Sequence, residues 1–355
     1  MSTQEKQFFP ALTGYRAIAA WLIFVFHFMP FRNPNVPDFA KKVVSNFHIG
    51  VEMFFVLSGF LITYRYFNDR PLNFKKYMVN RIARIYPMYF LLTAGVFLVW
   101  FFQNNYWDSE KTTEAILSFT MTKALFSKYY FAGIPQGWTL TLEEMFYITA
   151  PLYFILIRKS KWFLALLPIL IFVSGLFLKE ATSVPQNTWG FLQYDFFFNI
   201  FEFFAGIALA ILMLKKKLTF SKNWVTWFGL FIIISFVCSK SYLNFESQYA
   251  LVLELIFLSV FGIVPLLWGL IHEKTILQKL LASPIFVLLG KSSYVFYLIH
   301  KGFIPVFMND YITENKLIIF ILLNIVSILM FTYLEEPLNH LIRRKFNSKK
   351  ALESN

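Results

Sequence analysis

Apolar runs close to the roughly 20 residues that a helix needs to cross a bilayer recur along this whole 355-residue chain. That repetition decides the fold class before any single residue is considered. Only 15% of the residues are charged, against about 25% in an ordinary soluble domain. The sequence therefore predicts an all-α, polytopic membrane protein of about ten transmembrane helices. The predicted spans are Ala11–Met29, Phe47–Tyr64, Ile85–Phe102, Trp138–Ile157, Trp162–Leu178, Phe191–Leu214, Trp224–Ser239, Gln248–Ile271, Ile285–Met308 and Leu317–Leu338. The first run is too long for a signal-peptide core and has no small-residue cleavage site after it, so it reads as a retained anchor.

The net charge of +13 does not point to nucleic acid, because the basic residues lie in short loops between the spans. One set of flanks carries 21 Lys and Arg residues and the opposite set nine. The richer set is assigned to the cytoplasm, with both termini inside. A membrane domain over 8–345 and a short basic tail over 346–355 account for the chain. The outer connection Gln103–Gly137 is long, and its Glu114–Tyr130 stretch reads as an interfacial helix with Leu117, Met121 and Leu125 on one side. The only cysteine, Cys238, lies in an apolar run, which leaves neither a disulfide framework nor a thiol metal site.

Ionisable residues on apolar helices are costly and by default mark sites. Arg16 and His27 are eleven apart on the first span, so they share a helix face about 16 Å apart along the axis. Arg16 falls near the cytoplasm, where a guanidinium suits the phosphates of a cytosolic donor. His27 falls near the outside, where an imidazole suits a general base. The alternative has Arg16 snorkelling to headgroups and His27 in a structural hydrogen bond. In GVEMFFVLSGFLI, Glu52 enters at a depth similar to His27 and is expected to pair with it, while Ser58 and Gly59 permit close helix packing.

Arg81 and Arg84 share a face and suit a phosphate group, or else lipid headgroups. In GWTLTLEEMFYITAPL, Trp138 is an interfacial anchor and Glu143 lies about one and a third turns, roughly 7 Å, inward. Tyr297 and His300 fall in the outer part of the ninth span. His27, Glu52, Glu143 and His300 are thus all assigned to the outer half. Glu335 and Glu336 fall at the inner end of the last span.

Together these segments resemble the bacterial membrane acyltransferase 3 family, the integral-membrane O-acyltransferases of surface polysaccharides and some antibiotics. Arg16 with His27 is similar to the family's arginine–ten residues–histidine signature. Gly50–Ile62 is similar to GVDLFFVLSGFLI, with Glu52 where aspartate is common. Arg81, Arg84 and Pro87 resemble RxxRxxP, Trp138–Tyr147 resembles WSLxxEExFY, and Ser293–His300 resembles SYxxYLxH. One departure is Asn199, which precedes an EFxxG-like segment where the family often has arginine. The chain also shows no SGNH hydrolase-like domain.

The resemblance implies transfer of an acyl group, with acetyl favoured, from cytosolic acyl-CoA to a hydroxyl of an extracytoplasmic or lipid-linked saccharide. Acetyl-CoA or another acyl-CoA would be the co-substrate, with no metal. Arg16, Arg81 and Arg84 would hold the donor, and His27, Glu52 and Glu143 would carry the chemistry. Trp138, Tyr297 and His300 would line the saccharide or glycolipid acceptor. It further implies a bacterial cytoplasmic (inner) membrane location, no nucleic-acid partner, and either transfer within the membrane domain or hand-over to a separate periplasmic transferase. A saccharide or small-molecule transporter and a non-catalytic membrane subunit are the competing classes. A transporter should show inverted repeats or broken helices near the midplane.

Overall fold

The computed structural model describes residues 7–28, 35–69, 71–181, 195–215, 223–240 and 248–353. Among them seven helices are long and apolar enough to cross a membrane, and three shorter apolar helices accompany them. The order is α1 (Pro10–Phe28), α2 (Asp38–Val44), α3 (Gly50–Tyr66), α4 (Phe74–Asn104), α5 (Ser109–Phe119), α6 (Trp138–Lys159), α7 (Phe163–Ala181), α8 (Asp195–Phe198) and α9 (Ile200–Leu214). There follow α10 (Val225–Lys240), α11 (Gln248–Phe257), α12 (Val264–His272), α13 (Ile276–Leu281), α14 (Pro284–Ile299), α15 (Phe303–Tyr311), α16 (Lys316–Met330) and α17 (Glu336–Glu353). Single π-helical turns, Leu258–Ile263 and Phe331–Glu335, join α11 to α12 and α16 to α17.

Two compact units interleave along the chain. The first takes residues 1–69, 152–182 and 196–291, and the second takes 70–151, 183–195 and 292–355. In the first unit α1 turns Leu12, Tyr15, Ala19 and Ile23 inward at three- and four-residue spacing, the periodicity of one helix face. Lipid is as apolar as leucine, so close backbone approach matters more here than burial of apolar area. Gly59 of α3 and Gly206 of α9 supply that approach. A Cβ on Gly59 would stand 2.1 Å from the Phe203 carbonyl oxygen, and one on Gly206 would stand 2.0 Å from that of Val56. Glu273 closes the same unit elsewhere. Its carboxylate accepts from the Val225 and Thr226 amides at 2.9 and 2.8 Å and from the Thr226 hydroxyl, satisfying donors that the first turn of α10 leaves open.

In the second unit α4 runs for 31 residues. Asn73 caps it by accepting from the Lys76 amide at 2.8 Å, so the helix starts eleven residues before the predicted span. The α14 carbonyls end against Gln136, whose side-chain amide donates to Tyr297 O at 3.1 Å, Leu298 O at 2.6 Å and Lys301 O at 3.3 Å.

Two expectations change. The ninth span stops at Ile299, because Gly302 takes φ 109° and starts a separate helix. The Glu114–Tyr130 helix ends at Phe119, with Met121 at φ 55° and two 3₁₀ turns beyond it. Arg81 and Arg84 lie one turn apart on α4, with Arg81 buried and Arg84 half-buried.

The α3–α9 crossing yields a stability prediction. Gly206→Val should destabilise the protein by about 1–3 kcal/mol, the range of overpacked cores, read as a lower melting temperature in detergent. Gly95→Ala should melt close to wild type, because its nearest neighbour would be Phe303 at 3.7 Å. Equal melting of both variants would remove the close crossing.

Candidate active site

In the first unit the helix α1 carries both Arg16 and His27 without interruption, and each side chain is half-buried. The chain returns through a 3₁₀ turn, Phe47–Ile49, directly into α3. That turn sets His48 one helical turn before Glu52, with Nδ1 3.3 Å from Glu52 Oε1. The contact that the structure gives this carboxylate is therefore with His48, where the sequence suggested His27. Phe26 stands beside both imidazoles, with its ring centre 5.1 Å from that of His27 and 6.1 Å from that of His48. His48 escapes a reading by motif because it precedes the conspicuous GVEMFFVLSGFLI run.

In the second unit α6 projects Glu143 and Tyr147 from one face, four residues apart, and the Tyr147 hydroxyl donates to Glu143. The Tyr147 ring lies 5.5 Å from the Arg81 guanidinium carbon, a cation–π distance. The Tyr147 carbonyl accepts from Tyr77 OH at 2.7 Å. The sequence assigned Arg81 to the donor half and Glu143 to the acceptor half, whereas the structure gathers both around one tyrosine. His27 and Glu52 belong to the first unit, and Glu143 and His300 to the second.

The residues expected to line the acceptor are tied into a polar network at the start of α6. Tyr297 OH lies 2.9 Å from Thr139 Oγ1 and donates to Gln136 O at 3.1 Å. His300 is fully buried, with Nδ1 2.7 Å from Tyr297 O. Trp138 stacks on Tyr130 at 5.3 Å, and the Tyr130 hydroxyl donates to Asp195. Burial and that carboxylate push the phenol far up. Among the described residues no three or more His, Cys, Asp and Glu side chains gather into a group that could hold a metal ion.

Lys123 is the residue that sequence reasoning passed over. Counted there as an outer flank charge, it is fully buried, with Nζ donating to Ala132 O and Ile134 O. Burial pushes its amine down to about 7. A neutral amine has two N–H donors, which match these two carbonyls.

The shift has a defined sign. The ordinary lysine value is 10.5, so between about 7 and 10.5 the unfolded loop binds the extra proton and the fold gains stability as pH rises. Lys123→Met should flatten that rise, read as resistance of the 120–137 loop to proteolysis between pH 7 and pH 10. Parallel profiles for the two proteins would contradict the buried amine.

The family model described as an acyltransferase domain matches residues 9–334. A Bacillus subtilis (strain 168) protein named "Putative peptidoglycan O-acetyltransferase YrhL" is 29% identical over 61% of this chain and 35% of its own length. "Putative acetyltransferase ORF330" of Acidianus two-tailed virus is 26% identical over 84% of each chain. A Staphylococcus aureus (strain COL) protein named "Putative O-acetyltransferase" is 21% identical over 94% of this chain and 58% of its own. The chain thus spans about a third of the Bacillus relative and under two thirds of the staphylococcal one. No solved structure matches it. With the match running from before α1 to the π-helical turn ahead of α17, this multi-pass helical membrane chain belongs to the acyltransferase 3 family.

Proposed function

We propose that this protein is a membrane O-acyltransferase that moves an acyl group, with acetyl favoured, from cytosolic acyl-CoA to a hydroxyl of an extracytoplasmic or lipid-linked saccharide. The observation that carries the reading is the unbroken helix α1 with a guanidinium and an imidazole eleven residues apart. By the positive-inside count Arg16 is at the cytoplasmic end and His27 at the outer end. Their roughly 16 Å separation is comparable to the reach of a pantetheine arm. The setting is the bacterial cytoplasmic membrane.

In this reading Arg16, Arg81 and Arg84 hold the phosphates of the donor. His27 takes the proton of the acceptor hydroxyl as its oxygen bonds to the acyl carbon. The C–S bond breaks, and the leaving thiolate is protonated to free CoA. Glu143, held by Tyr147, positions the acceptor, while Trp138, Tyr297 and His300 shape its site. The peptidoglycan named for the Bacillus relative makes an amino-sugar polymer the first acceptor to try. Final transfer by a separate extracytoplasmic protein is the variant of this scheme that would spare His27.

Two substitutions test the assignment. His27→Ala should lower kcat by about 10²- to 10⁴-fold, the span of general-base contributions, in purified protein at normal yield. Activity within threefold of wild type would remove His27 from the base role. Arg84→Gln, at a half-buried position, should raise the KM for acetyl-CoA roughly tenfold, the equivalent of about 1.4 kcal/mol, with kcat little changed. An unchanged KM would return Arg84 to headgroup contact.

A further inference from the structure

The first unit holds a second imidazole that the scheme above does not use. Its partner is unusual. Glu52 is only 6% exposed, and its Oε2 is buried with no hydrogen-bond partner among the described residues. A carboxylate so placed is costly unless something compensates it. Its place in the first turn of α3 sets it at the positive end of that helix's dipole. The directed contact is His48 Nδ1 at 3.3 Å. The His48 side chain is 36% exposed, so the pair joins a buried orienting carboxylate to an accessible ring.

Position adds to this. The Phe26 ring meets that of His48 nearly edge-on, at 78°, and sits next to His27. Phe26 thus stands beside both His27 and the exposed His48 within one unit. With Nδ1 committed to Glu52, Nε2 is the nitrogen left for a ligand. Neutral, Nε2 accepts a hydrogen bond; protonated, it donates one. A saccharide hydroxyl can answer either. An aromatic face beside it suits the C–H face of a sugar ring.

We propose that His48, oriented by Glu52, is an acceptor-binding residue: its Nε2 hydrogen-bonds a saccharide hydroxyl adjacent to the one that His27 deprotonates. Glu52 is then a positioning residue that acts through His48. This rests on the O-acyltransferase reading.

The test uses the full-length protein in nanodiscs, with acetyl-CoA as donor and the disaccharide N-acetylglucosaminyl-N-acetylmuramic acid as acceptor. His48→Ala should raise the KM for the disaccharide at least tenfold, with kcat within about threefold and the KM for acetyl-CoA unchanged. Glu52→Gln should shift the same constant in the same direction. His48→Gln, which keeps a polar group at this position, should recover part of the loss, and a merely structural role would show no such recovery. Direct binding of the disaccharide, followed by tryptophan fluorescence without acetyl-CoA, should weaken in parallel. An active wild type whose disaccharide KM and binding are untouched by His48→Ala would overturn the assignment of His48 alone. A wild type that releases no CoA with the disaccharide and does not bind it would overturn the acyl-transfer reading, and this inference with it.

Discussion

A polar side chain on an apolar helix has to find its partner inside the protein, because hydrocarbon offers none. Much of what distinguishes this chain from a bundle of greasy helices follows from that requirement. Glu52 meets His48, Glu143 meets Tyr147 beside Arg81, Gln136 gathers three carbonyls at the end of α14, and Glu273 caps α10. Each contact pairs a costly group and also fixes the position of a neighbour. Helix packing needs much less chemistry. Glycines 59 and 206 let backbones touch, and dispersion does the rest.

Placing the candidate residues in two units refines the functional reading. α1 carries Arg16, the proposed donor contact, and His27, the proposed base, on one helix, so their separation is set by helical rise alone. The carboxylates are divided. One serves an imidazole in the first unit, and the other joins a tyrosine and a buried arginine in the second. Arg81 is 7% exposed, so in the proposed scheme it would meet a donor phosphate only from within its packed surroundings. Arg84, half-buried, is the readier contact.

What the sequence disclosed follows from range. α1 is legible to within one residue at each end, because apolar periodicity and Pro10 are local signals. The break after Ile299 is less so, since the apolar run continues through Phe303–Met308 and only Gly302 marks the turn. Asn73 extends α4 into a basic stretch that a hydropathy window scores as loop. Gln136 and Glu273 were unreadable because their partners lie 161 and 47 residues away or thereabouts in sequence. Lys123 looked like an ordinary flank charge until the carbonyls of Ala132 and Ile134 closed over it. Among the site residues the ionisable ones were visible as exceptions on apolar helices. Their pairings were not, as the His48–Glu52 contact shows.

The central claim is that an acyl group passes from CoA to a saccharide hydroxyl within this membrane protein. The most direct measurement follows free CoA thiol and the mass of the acceptor together, with purified protein in nanodiscs given acetyl-CoA outside and saccharide on the opposite face. The account predicts thiol release matched one for one by saccharide carrying the mass of one acetyl group. Movement of unmodified saccharide across the membrane with no thiol released would contradict it.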